Sequence, residues 1–204
     1  MKTAVLENIV DENIEAAVAI PAELVYEELN GIPVYYRGYK AVMKGEKQLE
    51  EIMGYGGLQW YLLNIIGAFL TQQFGKDYQV LIGEGGLHAG YKKNPSLDLC
   101  IYPKAQLKFK DLKNQYLDIP PKIVIEVDTK ADPDVFQYST YYAPKTQLLL
   151  DFGVEQVLWI FTDAEKIMVA QPEQPWIIVN WKDEVEVLGH RFSIQGIIDA
   201  AEVA

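Results

Sequence analysis

Residues 122–129 read KIVIEVDT. Ile123, Val124, Ile125 and Val127 make a nearly unbroken β-branched run after the turn-forming Ile119-Pro120-Pro121. Such a run marks a central strand buried on both faces. One acid, Glu126, stands inside it. SLDLCIY (96–102) repeats the pattern, with Asp98 set among Leu97, Leu99 and Ile101. A carboxylate in a buried strand is costly unless it is paired, hydrogen-bonded or bound to a metal. Strand alternation puts Glu126, Asp128 and Lys130 on one face, with Val127 and Thr129 on the other. If the two strands are neighbours, Asp98 joins that face and two or three carboxylates converge. Hard oxygen donors of this kind suit Mg²⁺ or Mn²⁺. The competing reading makes these acids ordinary solvated strand ends, or structural ion pairs with nearby lysines.

Outward from these two strands, the patterning predicts a strand with a turn at Gly38 (32–43). A long helix from Lys47 to Phe74 follows, weakened in its first half by Gly54, Gly56 and Gly57. YQVLIG (78–83) is a strand, and GEGGLHAGYKKNPS is a glycine-rich turn region. Residues 136–152 read as a helix ending at Gly153. VEQVLWIF (154–161), KIMVAQ (166–171), WIIVNW (176–181) and VEVLG (185–189) are further strands, and a short helix spans 194–202. Alternation of this kind implies an α/β or α+β fold with helices flanking a sheet. Residues 1–30 read as an acidic, weakly patterned N-terminal extension, partly loose. Residues 31–204 read as a single domain.

The 204 residues are half hydrophobic and 23% charged, a globular balance that excludes wholesale disorder. A net charge of −11 argues against bulk attraction to nucleic acid or anionic membrane, though not against a local basic site. The single cysteine, Cys100, permits neither an internal disulfide nor a thiolate zinc cage. With no signal-peptide or membrane-span pattern, the expectation is a soluble, cytoplasmic chain.

Taken in order, the strand acid, the IEVDTK strand about thirty residues on, the following helix with its lysine, and GVEQVLWI (153–160) resemble the PD-(D/E)XK nuclease superfamily. More narrowly they resemble the Uma-type family of restriction-endonuclease-like proteins, catalogued as a domain of unknown function. The resemblance covers about residues 30–195. It implies a restriction-endonuclease-like core, a mixed central sheet flanked by helices, with C-terminal β-hairpins. It also implies metal-dependent hydrolysis of DNA phosphodiester bonds, with Asp98 and Glu126 as the motif acids. Leu97 stands where the family usually has proline. Asp128 stands where the E-X-K lysine would be, so a lysine on the next helix, Lys145, is the substitute. Lys130 competes, since Asp128–Thr129–Lys130 itself spells D-X-K. On this reading Asp98, Glu126 and Asp128 hold Mg²⁺ or Mn²⁺, and a lysine stabilises developing charge. Asp128 in the lysine position equally suits a catalytically silent nuclease-fold module that binds nucleic acid or a protein.

Charge is unevenly spread. Residues 90–145 hold nine lysines and seven acids, a local +2 that leaves −13 elsewhere. Lys92, Lys93, Lys104, Lys108, Lys110, Lys113 and Lys130 are candidate phosphate contacts, against the alternative of an ordinary solvated loop. Glu84 reads as a turn-exposed acid or an extra metal ligand. His88 and His190 lack ligand spacing, and Cys100 reads as a small core residue. Tyr138, Tyr141 and Tyr142 read as packing residues before base-stacking ones. Trp176, Trp181 and the apolar C-terminal strands suggest a possible homodimer surface.

Overall fold

The computed structural model describes residues 20–127 and 141–203. Strands β1 (Val25–Leu29) and β2 (Ile32–Tyr35) come first, then helices α1 (Tyr39–Met43), α2 (Glu50–Met53) and α3 (Gly57–Phe74). Strands β3 (Tyr78–Gly86), β4 (Lys93–Asn94), β5 (Ser96–Pro103) and β6 (Ile123–Val127) lead to helix α4 (Tyr142–Phe152). Strands β7 (Gln156–Phe161), β8 (Lys166–Ala170), β9 (Ile177–Asn180), β10 (Val185–Val187) and β11 (His190–Phe192) precede helix α5 (Ile194–Val203).

The architecture is mixed α+β. Six strands form the central sheet among the described residues, in the order β3-β5-β6-β7-β8-β9. Only β6 and β7 run parallel; the other neighbours are antiparallel. A parallel pair needs a crossover, and the chain between these two strands contains α4. One sheet face packs Leu99, Ile101, Ile123 and Ile125 against Leu62, Ile66 and Leu70 of α3 and Ile197 of α5. The opposite face packs Cys100, Val124, Val157 and Trp159 against Leu148 and Leu149 of α4. With a layer on each side, all five residues of β6 are buried. This is why β6 reads as a continuous apolar run and why Glu126 stands out in it. Where α3 crosses β3, a Cβ on Gly67 would lie 2.3 Å from Ile82 Cδ1, so glycine is what lets helix and strand approach.

The structure departs from the expected elements in several places. The strand expected over 32–43 stops at Tyr35, and Gly38, with φ 89°, starts a short helix. The helix expected over 47–74 is two helices, because Gly54 and Gly56 are both extended. β3 continues through the glycine-rich turn region to Gly86, with a bulge between Ile82 and Gly85. The helix expected over 136–152 is observed from Tyr142; residues 136–140 lie outside the described residues. Residues 22–29, placed in the N-terminal extension by their weak patterning, form a helical turn and β1. β1 is the middle strand of a small sheet ordered β2-β1-β4. Trp181 is buried, its indole donating to the Lys166 carbonyl at 3.3 Å, and Trp176 packs against the core. The two tryptophans that suggested a dimer surface are therefore used within the chain. No helix among the described residues is long and apolar enough to cross a membrane.

Candidate active site

β5 and β6 pair antiparallel with Leu99 opposite Ile125 and Cys100 opposite Val124. Continuing that register by one residue sets Asp98 opposite Glu126, the juxtaposition the sequence required of neighbouring strands. Both side chains are buried. Asp98 Oδ2 accepts the Val127 backbone N–H at 3.0 Å, and Oδ1 accepts the Tyr55 hydroxyl at 3.4 Å. The Val127 carbonyl accepts Gln59 Nε2 of α3 at 2.7 Å. The end of β6 is thus gripped from β5 and from α3, and Glu126 is fixed beside that grip.

Lys145 enters from α4 and is fully buried. Its ammonium donates to the Ser96 carbonyl at 2.7 Å and to the Tyr141 hydroxyl at 3.3 Å. It lies 3.3 Å from Glu27 Oε2 and 3.4 Å from Glu126 Oε1. The rings of Tyr141 and Trp159 flank it at 5.6 and 5.5 Å, close enough for cation–π attraction. Trp159 also anchors the helix, donating its indole N–H to Thr146 Oγ1 at 2.8 Å. Tyr141 is completely buried, so it packs as expected and does not offer a stacking surface.

Glu27 is the site residue that sequence reasoning missed. It accepts the Ser96 N–H at 3.1 Å and the Tyr141 hydroxyl, besides pairing with Lys145. Nothing in VYEELNG (25–31) frames Glu27 as Asp98 and Glu126 are framed. Its burial is set by Tyr141, 114 residues away.

Glu126 Oε1 is buried, and its one close polar neighbour among the described residues is the Lys145 ammonium at 3.4 Å, too far and poorly aligned for a good hydrogen bond. Burial pushes the Glu126 carboxyl up to about 8, Lys145 opposing the rise and Asp98 and Glu27 adding to it. Burial works against the charge on Lys145. Glu126 and Glu27 outweigh it and hold the ammonium well above the ordinary lysine range. The site therefore keeps a firm cation beside a carboxyl that is reluctant to ionise.

A divalent cation is the group this donor set would take. Mg²⁺ is ordinarily held by one or two carboxylates, with water and substrate oxygens completing its shell. Asp98 and Glu126 supply two such carboxylates, and Glu126 Oε1, ion-paired with Lys145 but without a well-formed hydrogen bond, retains lone-pair capacity for an ion. Among the described residues no three His, Cys, Asp or Glu side chains cluster as a complete cage. Asp128, expected as a third ligand, and Lys130, the competing lysine, lie outside the described residues. Glu84 is exposed on the β3 bulge, near enough to Tyr55 to help raise that phenol's pKa. Cys100 is a buried core residue. His88 bonds Asn94 at 2.6 Å and His190 packs on the Phe74 ring, so neither joins the site.

Among the candidate phosphate contacts, Lys92, Lys93, Lys108, Lys110 and Lys113 are exposed. Lys104 is tied to the Gly75 carbonyl. No protein-family model matches the chain, and no curated protein matches it. Its fold is shared with a crystal structure described as a "putative nuclease belonging to DUF820" from Anabaena variabilis ATCC 29413. The two superpose with a TM-score of 0.60 at 15% identity, over 84% of this chain and 88% of that one. At that identity the likeness establishes the fold.

Proposed function

We propose that the protein is a metal-dependent endonuclease hydrolysing DNA phosphodiester bonds, a Uma-type member of the PD-(D/E)XK superfamily. The observation that carries the proposal is the meeting of Asp98 and Glu126 beside the Lys145 ammonium, with one Glu126 oxygen buried and lacking a well-formed hydrogen bond. The shared fold with the Anabaena protein supports the same reading.

Asp98 and Glu126 would hold Mg²⁺ or Mn²⁺, with Asp128 as a further ligand. When bound, the ion supplies Lewis-acid polarisation of a phosphoryl oxygen and lowers the pKa of water. The protein's own groups do the rest. In the hydrolysis, water oxygen bonds to phosphorus, one ester P–O bond breaks, water loses a proton and the leaving oxygen gains one. Lys145 holds positive charge in a water-poor setting, where it offsets charge developing on the phosphate. Ser96, Tyr141 and Glu27 fix its position, so little reorganisation is needed as charge develops. Asp98 is held in place by its bonds to the Val127 N–H and to Tyr55.

Purified protein incubated with Mn²⁺ or Mg²⁺ and single-stranded, linear and supercoiled DNA tests this. Cleavage is expected to vanish in Asp98→Ala and Glu126→Ala. Cleavage that survives both substitutions ends the assignment.

A second reading has a specific observation behind it. Lys145 is enclosed by two carboxylates and has no exposed surface, as a structural ion pair would be. In that case the chain is a silent nuclease-fold module. Calorimetry separates the two: the silent module shows no Mn²⁺ binding that depends on Glu126.

A further inference from the structure

We infer that the nucleic acid this site acts on is single-stranded, seated by exposed aromatic rings on a lysine-rich surface beside the site. The inference rests on the nuclease reading and narrows its substrate. Three large rings stand out in solvent there: Tyr91 is 86% exposed, Phe109 91% and Tyr116 57%. A phenylalanine held almost wholly in water is unusual for a core-forming residue.

The surroundings of these rings are basic. From residue 88 to 117 the chain has six lysines and two acids, although it carries −11 as a whole. One of the two acids, Asp98, is buried in the site. Lys92 lies over the Tyr91 ring at 5.8 Å, and Lys108 and Lys110 flank Phe109 directly. Alternation of ammonium groups and ring faces is what a flexible strand needs. Phosphates meet the lysines and unpaired bases stack on the rings. Lysines alone would serve a duplex equally well. The rings distinguish the two, because a duplex stacks its base faces against one another and a single strand leaves them available.

The ring-bearing segments are linked to the site through the backbone. The loop that carries Phe109 and Tyr116 is tied to the turn that carries Tyr91. Leu117 bridges Leu87, its N–H donates to the Gly86 carbonyl at 3.1 Å, and its carbonyl accepts the His88 N–H at 2.7 Å. Tyr116 packs on Gly86, where a Cβ would stand 2.3 Å from the ring. Gly86 pairs across the sheet with Ser96, whose carbonyl holds Lys145. These bonds tie the turn and loop that carry the three rings to the strand whose Ser96 carbonyl holds Lys145.

Fluorescence anisotropy of short labelled oligonucleotides, with chelator present so that no cleavage occurs, tests the inference. The arms are single-stranded DNA, the same sequence as a blunt duplex, and single-stranded RNA. Single strands are expected to bind on the order of tenfold more tightly than the duplex. Tyr91→Ala and Phe109→Ala should each weaken single-strand binding by about tenfold and leave duplex binding unchanged. Tyr91→Phe and Phe109→Trp should retain it. Lys108→Ala with Lys110→Ala should weaken every arm and flatten the salt dependence. Tighter binding of RNA than DNA supports the inference and assigns the sugar. Equal affinity for the duplex, indifference to the ring substitutions, or no binding in any arm overturns it. The catalytic reading fails separately. Ring-dependent binding without Mn²⁺-dependent cleavage removes the nuclease and leaves the surface. Duplex cleavage insensitive to the rings does the reverse.

Discussion

Glu126 has two neighbours of opposite effect, the Lys145 ammonium and the apolar interior, and the interior prevails. Its folded pKa of about 8 lies above the ordinary value of 4.5. Between those values the folded chain keeps a proton that the unfolded chain releases. Stability of the metal-free protein therefore falls as pH rises through that window and levels off above it. Urea denaturation at a series of pH values should show this decline, and Glu126→Gln should remove most of it. Mn²⁺ affinity should run the other way, rising with pH up to about 8, because the ion must displace the proton. Lys145 is the reverse case, a buried cation whose loss leaves Glu27 and Glu126 without their counter-cation. Lys145→Met is expected to destabilise by about 3–5 kcal/mol, read as a lower urea midpoint. The double variant Lys145→Met with Glu27→Gln should recover part of that loss, since it removes one of those carboxyl groups.

At the level of elements, the end of β6 is the point to test. Val127 is bonded on its N–H by Asp98 and on its carbonyl by Gln59 of α3. Gln59→Ala leaves a buried carbonyl without its donor, a cost of about 1–3 kcal/mol. Because Glu126 is the preceding residue, Mn²⁺ affinity should fall as well, measured by calorimetry on the fraction that remains folded. The same elements show how much could be read beforehand. Asp98 and Glu126 were legible because each interrupts an apolar strand, where a carboxylate needs a reason. Lys145 was legible only through the resemblance, since a lysine in a helix is unremarkable by pattern. Glu27 was not legible. It sits beside another acid in a five-residue strand, and its burial depends on Ser96, Tyr141 and Lys145, all distant in sequence. The break between α2 and α3 was signalled by Gly54 and Gly56. Helical spacing of the apolar residues on either side hid it.

Across the whole molecule, net charge and local charge point in different directions. A chain at −11 repels nucleic acid at long range, and on the single-strand proposal the lysine-bearing turn and loop would overcome that repulsion close to the surface. The site itself is assembled from far-apart positions. Tyr141 and Glu27 are separated by 114 residues, and Lys145 and Ser96 by 49. The parallel pairing of β6 with β7 adds another non-local step, and such topologies close slowly. This order of assembly has a result for the cell during translation. A polypeptide still emerging from the ribosome already carries both strand acids, but α4 and its Trp159 anchor arrive later. Until they do, the acids lack their counter-cation. Prematurely terminated products ending before that point would lack the assembled site.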